Sequence, residues 1–552
     1  MTQETSLNRF LSRTSKIPPQ FSLPPYLIEG GIVFLIFIAT LIINSRMIRY
    51  GLNLNFNVDI KWHLTWIQHF SQQLSEGILY PRWLAGTNYG YGSPTFVFYP
   101  PLAYYLGYFL KLSGFNIQDT AIILFSSALF LSGLTFYIYG RNKWRRIPAL
   151  AGALVYMTSP YIAHDIYYRG GLSSIFVQAL IPLLWWLTEQ SFSGKKWRLG
   201  LAICWTIIAL THTPSLLLCA IVWLFYTLFF LLNKPWKAVV EIILSAGVGL
   251  GMASFYLLPA ILEKRFVNIE VMKQVAGGVK YNIFNLTQLF SLIQNNHEAA
   301  YIFLHQFLAI AVLIIIAFVF CRRQSPILQE TCHWSIFALT LTFFMSSWSG
   351  FIWQASPTLQ MVQFPWRLLQ IFSFVGAALY ATVFSGILKL RLRSRFLLSL
   401  VIVGILLMNF RYFYQRSTEY IALRNPGKAN VEHLQYTKTI MNDPYTGKLI
   451  DVKEYRPLLK NASSSPPVPL IGQPKISVVT GQATINIQQW QSYNRVFSVT
   501  TEKPSNIRVR TYYYPAWRIY VNQKPYALSM ANDGTIELKL NPGEYRKVLL
   551  VL

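Results

Sequence analysis

The stretch "NVDIKWHLTWIQHFSQQL", residues 57–74, contains the first residues whose types and spacing can do chemistry. Asp59 and His63 are four residues apart, so a helix over this stretch places them on one face, where they can touch. A carboxylate beside an imidazole can take up a proton and pass it on. The competing interpretation is that Asp59 only caps the helix and that His63 only reaches toward the interface.

Further ionisable residues lie in "SPYIAHDIYYRGG", "LTHTPS", "YLLPAILEKRF" and "MVQFPWRLLQ". Each of these segments is predicted to lie at the same face of a membrane, because each joins two apolar stretches on that side. Taken singly, such residues are more often snorkelling or capping groups. Collected at one face, they resemble a site, and its members are His164, Asp165, Arg169, His212, Lys264, Arg265 and Arg367.

An aromatic loop, "LYPRWLAGTNYGYGSPTFVFYPPLAYYLGYF", follows the first stretch and holds Arg82, Asn88 and Tyr99. Its glycines and prolines predict an ordered loop without long regular elements. A surface dense in Tyr, Phe and Trp suits stacking on sugar rings, but it is equally typical of an aromatic belt that anchors a protein at the interface. Composition alone leaves both interpretations open.

The composition of the whole chain indicates whether it lies in water or in a membrane. Of the 552 residues, 53% are apolar and only 12% are charged, which places the chain in a bilayer. The net charge of +27 comes from short basic clusters between apolar segments and not from one basic surface. These clusters indicate topology and argue against a nucleic-acid partner.

Assigning every basic cluster to the cytoplasm requires two crossings between consecutive clusters, or about eleven spans. The amino terminus is then cytoplasmic and the carboxyl terminus lies outside. Residues 99–112 are apolar but are read as re-entrant or interfacial, because another span would invert the topology. The predicted spans are 26–45, 117–139, 147–162, 173–192, 199–213, 215–232, 238–259, 301–320, 331–348, 367–387 and 395–412.

Three regions follow from this topology. Residues 1–412 form an all-α polytopic membrane domain with a long first outer loop at 46–116, and residues 413–475 are a linker region. Residues 476–552 alternate apolar and polar positions in runs such as "ATINIQ" and "TIELKL", separated by turns such as "ANDG" and "NPGE". This alternation predicts an extracytoplasmic, sandwich-like β domain. Within the first outer loop, Trp62, Trp66, Phe70 and Leu74 form one helical stripe, which predicts a helix lying at headgroup depth.

No cofactor is required by the sequence. The four cysteines lie in or beside spans, which provides neither a disulfide framework nor a spaced zinc site. No His/Asp cluster has the spacing of metal ligands, so the identity of any metal stays unknown. Asp59 and Asp165 can still share a divalent ion if they face each other.

Several of these motifs together resemble a known family. "VDIKWHLTW", "LYPRW", "GYGSPTFVFYPPLAYYL", "SPYIAHDIYYRGG" and "QFPWRLL" look like the bacterial membrane family labelled pyruvoyl-tetrahydropterin synthase-related. That family is similar to the GT-C glycosyltransferases, whose members that use polyprenyl-phosphate sugars place one catalytic Asp in the first outer loop. They often place a second acidic residue in the next outer loop. "TYYYPAWRIYVNQKPYAL" also resembles the carboxyl-terminal β domain of related bacterial proteins.

The resemblance implies a GT-C-like fold in the inner (plasma) membrane and a hexosyl- or pentosyltransferase activity with inversion. Asp59 matches the first-loop aspartate, the expected general base, and Asp165 matches the second. The implied partners are a polyprenyl-phosphate sugar donor, the bilayer, and a glycan, lipid or protein acceptor. The implied substrate-binding residues are His63, Arg82, Tyr99, Arg169, His212, Lys264, Arg265 and Arg367. Ser173 and Ser174 stand where many relatives carry an acidic residue.

Two alternatives remain from the residues alone. The first is a transporter or flippase for a lipid-linked glycan, and the second is a non-catalytic envelope assembly factor that uses the β domain for binding. Transporters tend to hold ionisable groups near the middle of the membrane. The acidic residues of the predicted spans, Glu29, Glu189 and Glu241, all fall near cytoplasmic ends, which favours the enzyme.

Overall fold

The computed structural model describes residues 24–52, 59–230, 234–273, 277–294, 297–422, 451–459, 465–466 and 472–552. The chain begins as a helical domain and ends as a pair of β-sheets. The longer helices are α1 (Pro25–Ile43), α3 (Ile60–Ser75), α5 (Leu102–Leu112), α6 (Ile117–Trp144), α7 (Arg146–Met157), α9 (Leu172–Gln190), α10 (Lys195–Ala209), α11 (Thr213–Phe230), α12 (Trp236–Met252), α13 (Ser254–Leu262), α16 (Glu298–Phe320), α17 (Ser325–Met345), α20 (Leu369–Ile387) and α21 (Leu392–Ala422).

Short helices connect the longer ones. They are α2 (Ser45–Tyr50), α4 (Thr95–Phe98), α8 (Pro160–Ala163), α14 (Gly278–Asn282), α15 (Leu289–Gln294), α18 (Gly350–Ala355) and α19 (Pro357–Gln360).

A helix occupies each of the eleven positions predicted to cross the membrane, but the helices differ in length. Six of the described helices, α1, α6, α9, α16, α20 and α21, are long and apolar enough to cross by themselves. Helices α12 and α13 together form one more candidate, bent by 73° at their junction. Helices α7 and α10 have only 12 and 15 residues, short of the ~20 that a bilayer requires. The count of eleven therefore stays a prediction.

The ends of different helices converge on one face of the domain, where the predicted cytoplasmic clusters lie. Arg146 pairs with Glu29 across 2.9 Å, and Lys143 pairs with Glu189 across 2.8 Å. Arg198 pairs with Glu241 at the same end. The three acidic residues thus meet basic partners at helix ends and not in the middle of the bundle. We refer to the other end of the bundle as the Asp59 face.

The first outer loop does not use its aromatic stripe as the sequence predicted. In α3, Trp66 and Phe70 are buried in the protein, and both pack edge-on against Phe96 of α4. Tyr104 of α5 contacts the same group of rings. The prediction of a stripe at headgroup depth is wrong, because the aromatic residues that follow in sequence fold back and cover it.

Helix α5 agrees with the prediction for residues 99–112 that they do not cross the membrane. It has 11 residues, about half the length of a span. Phe109 and Leu112 on one side are 60% and 62% exposed, while Tyr104 on the other side is buried. An exposed apolar side next to a buried one is the pattern of a helix at the interface.

The carboxyl-terminal part consists of two antiparallel sheets. The four-stranded sheet has the order β1 (Ile476–Thr480), β4 (Ser505–Tyr512), β8 (Thr535–Leu540), β7 (Ser529–Met530). The five-stranded sheet has the order β2 (Ala483–Trp490), β3 (Asn494–Thr501), β9 (Gly543–Val551), β5 (Arg518–Val521), β6 (Lys524–Tyr526). Each sheet buries one row of apolar residues, which include Ile507, Ile536, Phe497 and Leu550. The alternation in the sequence correctly predicted a β domain.

The β domain is docked on the first outer loop. The backbone N–H of Tyr512 donates to the carbonyl of Tyr91 across 2.8 Å. The ring of Trp83 lies 5.7 Å from Trp517 and 5.8 Å from Tyr514, measured between ring centroids. The β domain therefore contacts the first outer loop through aromatic rings and a backbone hydrogen bond, and these contacts support the loop.

The described residues of the predicted linker region include parts that belong to the packed structure. Helix α21 continues to Ala422, ten residues beyond the predicted end of the membrane domain. Residues 451–459, which we call the strap, lie against the segment after α13. Leu458 donates its N–H to the carbonyl of Phe266 across 2.9 Å, and Asn268 donates to the carbonyl of Arg456 across 3.3 Å. Part of this region therefore belongs to the packed structure.

Candidate active site

A tight corner between α8 and α9 carries Asp165 and Arg169. Pro160 occupies the first turn of α8, and Ser159 precedes it as a cap whose hydroxyl accepts from the N–H of Ile162 across 3.4 Å. The chain continues as a π-helical turn, His164–Arg169, a conformation often found at functional sites. Gly170 ends this turn in the left-handed region at φ 68°, which glycine adopts without strain.

Arg169 joins the two acidic residues that the sequence placed in different loops. Its Nε donates to Asp59 Oδ2 across 3.1 Å, and its Nη1 donates to Asp165 Oδ1 across 3.1 Å. The carbonyl of Arg169 also accepts from the N–H of Asp59 across 2.8 Å. The two predicted loops therefore meet, and one guanidinium lies between their carboxylates.

The two carboxylates differ in access to solvent. The side chain of Asp165 is 0% exposed, whereas that of Asp59 is 34% exposed. Asp165 also accepts from Ser174 and, across 2.6 Å, from Nε2 of Gln178. Burial raises the pKa of Asp165, and the positive charge of Arg169 opposes that shift. Asp59 is thus the carboxylate that a substrate can reach.

Asp59 does not act as the cap that the competing interpretation required. It occupies the position before α3, but its side chain makes no capping hydrogen bond there. Its carboxylate turns to Arg169 instead. The side chain of Asp59 is therefore positioned by a contact with another loop and not by its own helix.

His63 belongs to a wall of aromatic residues beside Asp59. Its Nδ1 forms a hydrogen bond of 2.8 Å with the hydroxyl of Tyr104. Burial lowers the pKa of His63 to about 4, so the imidazole is neutral at neutral pH. One turn further along α3, Trp66 packs on Tyr99 with 4.6 Å between ring centroids. His63, Trp66 and Tyr99 therefore line one side of the site.

Arg367 and His212 approach the same group from the helix ends. Asp59, Asp165 and Arg169 are close enough to Arg367 for their charges to affect its protonation. Arg367 is only 6% exposed, donates from Nη1 to the carbonyl of Val362 across 2.7 Å, and keeps Nε without a partner. Among the described residues it has no carboxylate within ion-pair distance. His212 is buried and bonded to Ser215 across 2.8 Å, and the charge of Arg169 acts on it.

Three residues predicted for substrate binding lie apart from this group. Lys264 and Arg265 are exposed, and Arg265 stacks on Phe266 with 4.9 Å to the ring centroid. Arg82 donates to the carbonyl of Phe255 across 3.0 Å. Within the described part of the chain, none of the three contacts Asp59, Asp165 or Arg169. Arg265 and Arg82 instead contact neighbours on their own parts of the surface.

The sequence interpretation missed the residues that support the site. Ser174 and Gln178 follow Asp165 on one side of α9, and a polar Gln inside an apolar span was a signal that could have identified them. Asp451 of the strap is buried beside Trp66, with Oδ1 accepting from the indole N–H across 3.1 Å. The only available signal was an acidic residue within the short apolar run "LIDV" of the predicted linker.

A divalent ion between Asp59 and Asp165 stays a prediction. The described residues contain no group of three or more His, Cys, Asp or Glu side chains that could hold a metal ion. Arg169 lies between the two carboxylates and contacts both. An ion bridging the two carboxylates would have to displace this guanidinium.

Comparison with known proteins gives a family match and distant similarities to several solved structures. The cryo-EM structure of the arabinofuranosyltransferase AftD from Mycobacteria is similar at a TM-score of 0.47 and 13% identity, covering 70% of this chain but only 27% of AftD. The crystal structure of ArnT from Cupriavidus metallidurans bound to undecaprenyl phosphate is similar at a TM-score of 0.39 and 12% identity, covering 75% of this chain and 74% of ArnT. No curated protein matches the chain significantly.

A sequence-family model also matches the chain. Residues 96–415 match the sequence model of a membrane protein family described as the 6-pyruvoyl-tetrahydropterin synthase related domain. The matched region begins in the aromatic loop and includes Asp165, Arg169, His212 and Arg367. Because the match covers more than half of its 552 residues, this chain belongs to the 6-pyruvoyl-tetrahydropterin synthase related family of membrane proteins.

Proposed function

We propose that the chain is an integral membrane glycosyltransferase. It moves a sugar from a polyprenyl-phosphate donor to an extracytoplasmic acceptor with inversion at the anomeric carbon. The observation that carries this proposal is the arrangement of Arg169 between a partly exposed Asp59 and a fully buried Asp165. A displacement by a hydroxyl needs a general base that the substrate can reach. Asp59 is such a carboxylate, and Arg169 holds it in position.

Asp59 is the general base in this proposal. Its Oδ2 accepts from Arg169, while its Oδ1 has no hydrogen-bond partner among the described residues. Oδ1 takes the proton of the acceptor hydroxyl as the new oxygen–carbon bond forms on one side of the anomeric carbon. The bond to the donor phosphate breaks on the opposite side, and its electron pair leaves with the polyprenyl phosphate.

The leaving phosphate gains negative charge as that bond breaks. Arg367 is suited to meet this charge, because it is buried near Asp59 and its Nε–H has no hydrogen-bond partner in the described part of the chain. A cation in a site that excludes water stabilises developing charge far more than an exposed cation does. Lys264 and Arg265 are exposed and apart, so we assign the phosphate to Arg367 with support from Arg169.

Asp165 has a positioning role. It is closed to solvent and accepts from Arg169 through its Oδ1. Ser174 and Gln178 donate hydrogen bonds to its Oδ2. Arg169 in turn sets the direction of Asp59. The serine at position 174 therefore supports the site as a hydrogen-bond donor to Asp165, where an acidic side chain would repel it.

The experiment that tests the function uses the full chain purified into lipid nanodiscs. The protein is incubated with a panel of radiolabelled polyprenyl-phosphate hexoses and pentoses, and sugar transfer or hydrolysis by water is measured. We expect turnover with at least one donor. We expect Asp59→Asn to reduce that turnover by ~100-fold or more, because Asn keeps the shape of the side chain but cannot take a proton.

Thermal unfolding of Asp59→Asn serves as the control and should match that of the original protein. Two results would contradict the proposal. The first is an absence of transfer and hydrolysis with every donor. The second is a folded Asp59→Asn protein that turns over at the original rate.

A further inference from the structure

The turn that precedes Arg367 has an unusual backbone at Gln363. Its φ of 65° lies in the left-handed region, which residues other than glycine seldom adopt. The N–H of Phe364 donates to the carbonyl of Val362 across 2.7 Å and closes a three-residue turn, residues 362–364, which we call the Gln363 turn. Such a turn with a positive φ at its centre is rare and strained. A strained conformation persists only where the surrounding structure holds it.

The Gln363 turn supplies two partners of the Arg367 guanidinium. The carbonyl of Val362 accepts from Nη1 across 2.7 Å, and the guanidinium carbon lies 4.8 Å from the ring centroid of Phe364. One partner precedes Gln363 and the other follows it, so the backbone angles of Gln363 set where the two lie relative to each other. The conformation of Gln363 therefore determines the direction of the guanidinium.

One edge of this guanidinium has no protein partner in the described part of the chain. Arg367 is 6% exposed, and neither its Nε nor its Nη2 forms a hydrogen bond with a residue that the structure describes. These two nitrogens share one edge, and an edge with two parallel N–H donors matches two oxygens of one phosphate. The Gln363 turn thus occupies Nη1 and leaves the edge that suits a phosphate.

The side chain of Gln363 attaches the turn to a distant part of the chain. Its Nε2 donates across 3.0 Å to the carbonyl of Met272, in the 3-10 segment Ile269–Lys273. The side chain is well buried, because Gln363 is only 6% exposed. Glycine would adopt the φ of 65° without strain but could not make this hydrogen bond. Glutamine instead strains the backbone and fixes the turn.

We propose that Gln363 is a positioning residue for the phosphate of the lipid donor. By holding the Gln363 turn against Met272, it keeps the Nε–Nη2 edge of Arg367 directed at the phosphate before the donor binds. A side chain that is fixed in advance loses less conformational freedom on binding than a free one. This inference rests on the proposed function, which assigns the donor phosphate to Arg367, and it adds the residue that holds Arg367 in place.

Binding of undecaprenyl phosphate to the full chain in nanodiscs tests this role, with affinity measured by native mass spectrometry. Gln363→Gly removes the attachment to Met272 and lets the turn move. We expect it to weaken binding by ~5-fold, because Arg367 must then be ordered when the lipid binds. Gln363→Asn keeps an amide and tolerates a positive φ, but its side chain is one methylene group shorter, so it should also bind more weakly than the original protein.

A double-variant cycle with Arg367→Ala separates positioning from a general structural role. If Gln363 acts through Arg367, Gln363→Gly should weaken binding no further once Arg367→Ala has removed the guanidinium. A turn that only stabilised the fold would change the affinity by the same factor in both backgrounds. Thermal unfolding of the four proteins measures any loss of stability separately. If Gln363→Gly does not fold, the same cycle is carried out with Gln363→Asn.

Gln360→Ala is the matched control. Gln360 also donates from Nε2 to a backbone carbonyl, that of Gln354 across 3.0 Å, but in an exposed part of the same loop. Its affinity for the lipid should equal that of the original protein. Three results would overturn the inference: no binding of undecaprenyl phosphate by the original protein, unchanged affinity in both Gln363 variants, or an equal effect of the Gln363 substitution with and without Arg367.

The two levels of proposal fail differently. A protein that transfers sugar, and loses lipid affinity in Arg367→Ala but not in Gln363→Gly, retains the transferase function and loses the positioning role of Gln363. A protein in which the two substitutions are coupled in lipid binding, but which transfers sugar from no donor, retains the phosphate site with its positioning residue and loses the transferase function.

Discussion

Arg367 and Arg265 are both arginines on the Asp59 face, and their surroundings give them different roles. Arg367 is buried, its Nε–H has no partner among the residues that the structure describes, and Arg169, Asp59 and Asp165 are the charges near it. Arg265 is exposed and stacks on Phe266. A buried cation is costly unless something compensates its charge, whereas an exposed one is solvated. The phosphate of a lipid donor would supply that compensation at Arg367.

Arg367→Ala should weaken the binding of undecaprenyl phosphate by ~10-fold or more, because a charge-assisted hydrogen bond is lost. Arg367→Lys should restore only part of the affinity, since an ammonium lacks the paired donors of a guanidinium. Affinity is measured by native mass spectrometry of the protein in nanodiscs. Arg265→Ala is the control and should bind as the original does. Equal affinity in Arg367→Ala would make Arg367 a structural residue.

At the scale of elements, the corner between α8 and α9 is packed too tightly for an added methyl group. A Cβ on Gly171 would lie 2.6 Å from Asp165 Oδ1 and 2.7 Å from Ser174 Oγ. Its φ of −79° suits alanine, so the obstacle is space and not backbone strain. The absence of a side chain at this position is part of how the corner holds Asp165.

Gly171→Ala should therefore displace the carboxylate of Asp165 and, through Arg169, misplace Asp59. We expect turnover to fall by about tenfold, the effect of an overpacking cost of 1–2 kcal/mol that acts on the site. The matched control is Gly30→Ala in α1, where nothing lies within 4 Å of the added Cβ. Steady-state turnover of both variants is compared, and equal rates would show that the corner can adjust.

Helix α3 contains two buried histidines, and their protonation at low pH should destabilise the fold. Burial lowers the pKa of both His63 and His69 to about 4. An unfolded histidine takes up its proton near pH 6.5. Between pH 6.5 and 4 the unfolded state thus binds more protons than the folded state. The stability of the fold must fall as the pH is lowered through this range.

For His63 alone, this difference amounts to roughly 3 kcal/mol of stability lost by pH 4. Thermal unfolding of the protein at a series of pH values should show a falling Tm below pH 6.5. His63→Asn should be less stable than the original at neutral pH, because the bond to Tyr104 changes, but its Tm should fall less steeply with acid. Parallel pH curves for the two proteins would contradict a buried, neutral His63.

At the scale of the whole molecule, every proposed role depends on the side of the membrane that the Asp59 face occupies. Glu29, Glu189 and Glu241 form ion pairs with residues of the basic clusters, and these pairs lie at the opposite face. The β domain is docked through Trp83 and Tyr91 on the first outer loop, so it must share the compartment of Asp59. Basic clusters favour the cytoplasm, so we predict that the Asp59 face and the β domain lie outside.

Reporter fusions test this orientation in cells. A reporter fused after Tyr168 and another after Asn506 should read as extracytoplasmic, and a reporter after Arg145 should read as cytoplasmic. A cytoplasmic reading at Tyr168 would remove Asp165 and Arg169 from an outer site. A cytoplasmic reading at Asn506 alone would contradict the docking of the β domain on the first outer loop.

Local patterns in the sequence were sufficient for the class of protein, the positions of the helices and the presence of the β domain. Hydropathy, basic clusters and strand alternation depend on neighbouring residues, so they can be read without a fold. The sequence also indicated Asp59, Asp165 and Arg169 as candidate site residues, because acidic residues are rare in this chain, and their roles stay predictions. The sequence also predicted that the loops carrying these three residues share one face.

The tertiary structure decided how these residues act. The sequence did not predict that Arg169 lies between the two carboxylates, that Asp59 is open and Asp165 closed, or that the α3 stripe faces protein. It also left out Asp451, which lies 385 positions from its partner Trp66. Each of these facts depends on contacts between segments far apart in the chain. The burial and hydrogen bonding of a side chain are set by what packs against it, and local sequence does not specify that partner.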